Sequence, residues 1–186
     1  MRLRKFLAST AIVVLATALL PGAANAYVFT GRYWCGNPPN AAKFNVQFLS
    51  GVATQPPPST SPNRAAFVNA MSAWHSTEVT FVAVSSSPLR VDSVFNLTAT
   101  WDGLTTYNSG SSCLGANVTS VINRKYTDGY SALTRQGVAG HELGHAIGLG
   151  HSSVNPAMMT PYTSTRNAQG ANTPRADDIA GAKARY

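Results

Sequence analysis

Residues 43–48 read Lys-Phe-Asn-Val-Gln-Phe, with every second side chain apolar. That period-two alternation predicts a strand with one buried face. It recurs over residues 94–101, where Phe95, Leu97, Ala99 and Trp101 would share a face, while 78–84 and, more weakly, 117–123 are further strand candidates. Residues 55–63, rich in Pro and Ser, read as a surface loop. The period then lengthens. Ser61 suits a helix N-cap and Pro62 the first turn, and Phe67, Met71 and Trp74 follow at helical spacing, a stripe expected to face the sheet. A second helix is expected over 133–149, and a third opens at Thr173-Pro174 and runs toward residue 186. No internal repeat interrupts this order.

The amino-terminal residues follow a different pattern. Arg2, Arg4 and Lys5 precede an apolar run over 6–20, and Ala24-Asn25-Ala26 places small residues where a signal peptidase needs them. Residues 1–26 therefore read as a secretory signal, too short in its apolar part to span a bilayer and broken by Pro21-Gly22. Cleavage would leave residues 27–186 as one domain with a net charge of +4, secreted and without a membrane segment. Its basic residues are scattered singly apart from Arg124-Lys125, which gives no stripe for phosphates, so no nucleic-acid partner is expected. No long heptad or large apolar segment calls for an obligate partner, so a monomer is expected. Cys35 and Cys113 are the only cysteines, and in an exported chain they are expected to form a disulfide. The competing reading makes Cys35 a thiolate that caps a metal.

The chain has 4 histidines, and three of them fall within His141 to His151, which reads His-Glu-Leu-Gly-His-Ala-Ile-Gly-Leu-Gly-His. On a helix, His141 and His145 lie one turn apart on the same face and can aim imidazole nitrogens at one point. Gly148 can take a positive φ that ends the helix and returns the chain, delivering His151 as a third ligand. Three neutral imidazoles leave one position of a tetrahedral zinc open, the arrangement of a catalytic site. Glu142 sits on the adjoining flank, within reach of a water on the same ion without being a ligand itself. A His-Glu-x-x-His run alone arises readily by chance; the added glycine and third histidine make this one specific. His75, the fourth histidine, stands alone and is not read as a ligand.

His141 to Ser152 is similar to the extended zinc signature of the metzincin peptidases, and Ser152 after the third histidine resembles the matrixin branch, the matrix metalloproteinases. Met159 lies eight residues beyond His151 and is followed by Thr160-Pro161-Tyr162, as in the matrixin Met-turn; the spacing favours it over Met158. The resemblance implies that this turn runs beneath the metal and that Pro161 and Tyr162 wall a substrate pocket. Asp177-Asp178-Ile179-Ala180-Gly181 and Tyr186 look like the last matrixin helix, whose carboxylates would brace the turn, and residues 65–84 resemble the first helix and following strand. The implied fold is α+β and metzincin-like: a twisted, mainly parallel mixed sheet of about five strands with about three helices, the cleft lying over the zinc helix. Trp34-Cys35-Gly36-Asn37-Pro38 is similar to a cysteine switch, but too few residues separate Cys35 from the expected mature terminus to make a folded pro-domain. With only His75 left upstream, the second, structural zinc of many matrixins is not expected. Calcium stays open, because Asp102 and Asp128 are isolated carboxylates in glycine-containing loops whereas calcium takes six to eight oxygens.

The expected activity is zinc-dependent endopeptidase hydrolysis of extracellular proteins, with Glu142 as general base and His141, His145 and His151 as ligands. Extended polypeptide substrates would lie along a sheet edge, for which residues 117–123 are the candidate. The rival reading is a secreted, non-catalytic zinc-binding recognition module on the same scaffold. Such a module would need the histidines but not Glu142.

Overall fold

Four parallel strands and one antiparallel edge strand carry the fold, which a computed structural model describes for residues 27–35, 42–53, 61–75, 77–107, 112–115 and 117–186. The expected signal segment, residues 1–26, and most of the Pro/Ser-rich loop lie outside the described residues. In chain order the elements are β1 (Tyr33–Trp34), β2 (Ala42–Phe48), α1 (Ser50–Ala53), α2 (Pro62–Trp74), β3 (Val79–Val84), β4 (Leu89–Val94), β5 (Gly103–Tyr107), β6 (Cys113–Leu114), β7 (Val118–Asn123), α3 (Arg124–Thr127), α4 (Ala132–Ala146), α5 (Thr163–Ala168) and α6 (Ala176–Arg185). The main sheet has the order β3-β2-β4-β7-β5, with β5 antiparallel to β7. This is the mixed, mainly parallel α+β architecture that the resemblance implies. The three expected helices are the long ones, α2, α4 and α6, and three short helices join them.

Alternation places the core. Ala42, Phe44 and Val46 of β2, Val79 and Phe81 of β3, and Leu89 and Val91 of β4 are buried, and they meet Phe67, Ala70, Met71 and Trp74 of α2. Ser61 caps α2 by accepting from the Asn63 amide, and the Trp74 indole donates to Gly140 O at 2.9 Å, locking α2 against α4.

One strand sits earlier than its alternation suggested. The ladder uses Leu89–Val94, with Leu89, Val91 and Ser93 inward, whereas residues 95–101 form a loop in which Phe95 and Leu97 are 60% and 66% exposed. Side chains there outcompete the ladder for the backbone groups. Asn96 Oδ1 accepts from the Thr98 and Ala99 amides, Asn123 brackets Asn96 from both sides, and Lys125 Nζ donates to Leu97 O and Ala99 O. The second helix also stops at Ala146, short of residue 149, because Gly148 takes φ 93°. The last opens at Ala176, two residues beyond Pro174, where Asp178 reaches back to the Arg175 amide.

The amino-terminal segment, residues 27–35, lies across the end of α4. Thr30 N donates to Gly148 O, Gly150 N to Val28 O, and the Trp34 indole to Ala146 O at 2.8 Å. The Trp34 amide also reaches the Tyr186 hydroxyl, which itself donates to Ile147 O. Cys35 and Cys113 are joined in a disulfide beside the short β1–β6 pair, so the Cys35 sulfur is committed there and not to the histidines. The bridge closes a separation of 78 residues. A Cys35→Ser/Cys113→Ser double variant is therefore expected to lose about 4 kcal/mol in the chain-entropy account. Urea unfolding under oxidising conditions would measure the loss.

Candidate active site

α4 and the turn after it carry His141, His145 and His151 to one place. Their ligand nitrogens all lie within 4.8 Å of one another, and ring centroids are 4.6–5.2 Å apart. Backbone carbonyls set two of the rings: His141 Nδ1 is 2.9 Å from Met158 O, and His145 Nδ1 is 2.8 Å from Leu149 O. A carbonyl only accepts, so with hydrogen on both Nδ1 atoms each Nε2 keeps its lone pair for the common point. Nε2 of His145 and of His151 stand 3.2 Å apart. Two nitrogens held at about 2.0–2.1 Å by one tetrahedral zinc would be separated by about 3.3 Å, a spacing that the His145–His151 pair matches.

The surroundings favour neutral imidazole. Burial, followed by the Arg166 guanidinium, drives His141 well below the usual histidine range, and burial brings His145 to about 4. His151, the most exposed of the three, is lowered by the same two causes. Glu142 is 4% exposed, and burial pushes its carboxyl up to about 8. The Thr105 hydroxyl lies 2.8 Å from Glu142 Oε2 and orients it.

Beneath the rings, the Met159 sulfur occupies the place that a Cβ on Gly144 would need. Asp178 holds the turn by accepting from the Met158 amide at 2.7 Å and the Met159 amide at 3.0 Å. Ser152 Oγ donates to Asp177 Oδ2 at 2.6 Å, and the Ser152 amide to Met159 O. Because Met158 O is the acceptor for His141, the Asp178 carboxylate fixes the His141 ring through one intervening residue. Asp178→Ala would leave two buried amides without acceptors, an expected loss of about 3 kcal/mol. In a domain of this size that corresponds to a fall in Tm of about 6–12 °C, readable by calorimetry.

The histidines and Glu142 open into a cavity of about 690 Å³, lined also by Gly103, Thr105, Tyr107, Pro161 and Tyr162. Tyr162 is 70% exposed at its rim. The sheet edge facing this cavity is β5. Residues 117–123, the candidate from sequence, form an interior strand, because β7 is hydrogen-bonded to β4 on one side and β5 on the other. Thr105 and Arg166 were not singled out from sequence. The β-prone Leu-Thr-Thr-Tyr run offered a signal for the first; a lone arginine offered none for the second.

The remaining candidates do not join the histidine cluster, although Asp102 lines the same cavity. The His75 ring takes the Phe81 amide at 3.1 Å, Asp128 pairs with Arg124 at the surface, and Asp102 accepts hydroxyls from Tyr130 and Thr163. Among the described residues, the three histidines are the only cluster of three or more His, Cys, Asp or Glu side chains able to hold an ion. No helix among these residues is long and apolar enough to cross a membrane.

Comparison with known proteins agrees with the geometry. Human matrix metalloproteinase-20 is 42% identical over 60 residues, a stretch covering 32% of this chain but only 12% of that much longer protein. The solved structure described as the GM1-bound form of the ECX AB5 holotoxin superposes with a TM-score of 0.54 over 87% of this chain and 84% of that one. At 16% identity, that likeness speaks for the fold alone. The family model described as Matrixin matches residues 50–186, the span that holds every histidine ligand candidate, Glu142, Met159 and the bracing aspartates, and the chain belongs to the matrixin family.

Proposed function

We propose that this protein is a secreted zinc-dependent endopeptidase that cleaves extended polypeptides, with Glu142 as its general base. The matrixin family supports a zinc metalloprotease kind of function. The observation that carries the finer reading is a buried carboxylate on the flank of three histidines whose nitrogens lie within 4.8 Å of one another. His141, His145 and His151 would hold the ion, which when bound supplies a Lewis acid for the scissile carbonyl and lowers the pKa of a water.

The chain's own groups do the rest. Glu142 takes the proton of the attacking water and returns it to the departing amine, while Thr105 holds one of its oxygens in place. β5 offers the side left unpaired among the described residues to an extended main chain, the way a sheet edge accepts an added strand. Pro161 and Tyr162 wall the place for one substrate side chain. A module evolved only to bind would have no use for Glu142 in this position. Casein zymography with and without a chelator tests the proposal. Cleavage that vanishes with chelator and returns with zinc is expected; a zinc-loaded, folded protein that leaves every polypeptide intact would refute it.

A further inference from the structure

The cavity beside Glu142 has a tied end, and its ties join the two sides between which a substrate would lie. On one side is β5; Asp102 is the residue just before it, and its main-chain carbonyl accepts from the Asn123 amide at 2.8 Å, fixing it to the end of β7. On the other side is the wall Pro161–Tyr162, followed at once by Thr163, the first residue of α5. The Thr163 hydroxyl donates to Asp102 Oδ2 at 2.6 Å, and the Tyr130 hydroxyl donates to the same oxygen at 3.1 Å. Arg166, 1% exposed, backs this link by donating to Thr163 Oγ1 through Nη2 and to Thr160 O through Nη1. Asp102, Tyr130, Thr163 and Arg166 all line the cavity that holds Glu142 and the histidines. The link lies on the Glu142 side, because a Cβ on the adjacent Gly103 would strike the Glu142 carboxylate.

We infer that the Asp102–Thr163 link, with Tyr130 and Arg166 behind it, closes this end of the cavity and sets the upper size of the substrate side chain received there. This rests on the endopeptidase reading above. Asp102 and Thr163 are positioning residues that hold the edge strand and the wall at a fixed distance without touching the reacting atoms. The separation of 61 residues between them means that nothing local holds the two sides together.

The test uses the full zinc-loaded protein and a quenched-peptide library that varies one residue on either side of the scissile bond from Ala to Trp. For Asp102→Ala, the ratio of kcat/KM for the largest side chains to that for Leu is expected to rise by about tenfold, the discrimination that a methylene or so of fit provides. The change should lie mainly in KM. Thr163→Val removes the same link from the other side with little change of shape, and should move the ratio in the same direction by less. Asp102→Asn keeps an oxygen for both hydroxyls and should restore the wild-type profile. Wild-type cleavage with variant profiles superposed on it, differing only in Tm, would overturn the inference alone. If Asp102→Ala does not fold, Thr163→Val decides by the same ratio. A wild-type protein that cleaves no peptide overturns this inference together with the proposed function.

Discussion

Glu142→Ala is expected to lower kcat/KM for peptide cleavage by about 10²–10⁴-fold, the range that general acid–base catalysis supplies. Zinc should stay bound in that variant, since the nitrogens proposed to hold it are those of His141, His145 and His151, and two of those rings are held by carbonyls that the substitution does not touch. Glu142→Gln is the sharper control. It keeps the volume wedged against Gly103 and the oxygen facing Thr105, and removes only the capacity to take a proton. Equal losses in both variants, at full metal content by atomic absorption, assign the effect to proton transfer. Retained hydrolysis in either would remove the residue from the mechanism.

His151→Ala should be as damaging to activity by another route. A third of the donor set goes with it, and the expected result is a drop in zinc affinity of at least about 100-fold, beyond the 10- to 100-fold typical of outer partners. Because His151 is exposed, its removal costs the core little. The two states can be told apart by heat. At about a thousand times its Kd, bound zinc stabilises a protein by about 4 kcal/mol, so chelation should lower the wild-type Tm by about 8–16 °C. In His151→Ala the same chelator should shift Tm far less. Equal shifts in both proteins would mean that the histidine is not a ligand.

The histidine cluster was legible because everything that brings its rings together is written within eleven residues. Helical periodicity aligns His141 with His145, and Gly148 explains the return to His151. The long helices were legible for a similar reason, their caps and apolar stripes being local. The strand expected over 94–101 misled because Phe95, Leu97, Ala99 and Trp101 alternate as a strand should, while the groups that claim this backbone come from Asn123 and Lys125, over 20 residues away. The edge was misassigned for a topological reason. No pattern within β7 announces that Gly103–Tyr107 turns back antiparallel and covers its outer side. The supports of the site, Asp178 on the methionine amides and Thr105 on Glu142, join residues 19 to 37 apart and exist only once the chain has folded.

The contact between the Trp34 amide and the Tyr186 hydroxyl joins residues 152 apart, and it governs the order in which the molecule can be completed. A nascent chain lacks the Ala146 and Gly148 acceptors for residues 27–35 until α4 has been made, and the Tyr186 hydroxyl until residue 186 has been added. Folding that closes so late in the contour is slow, because the entropy of a very long loop is surrendered before its contacts repay it. The segment that is made early is consequently among the last to gain its full set of contacts.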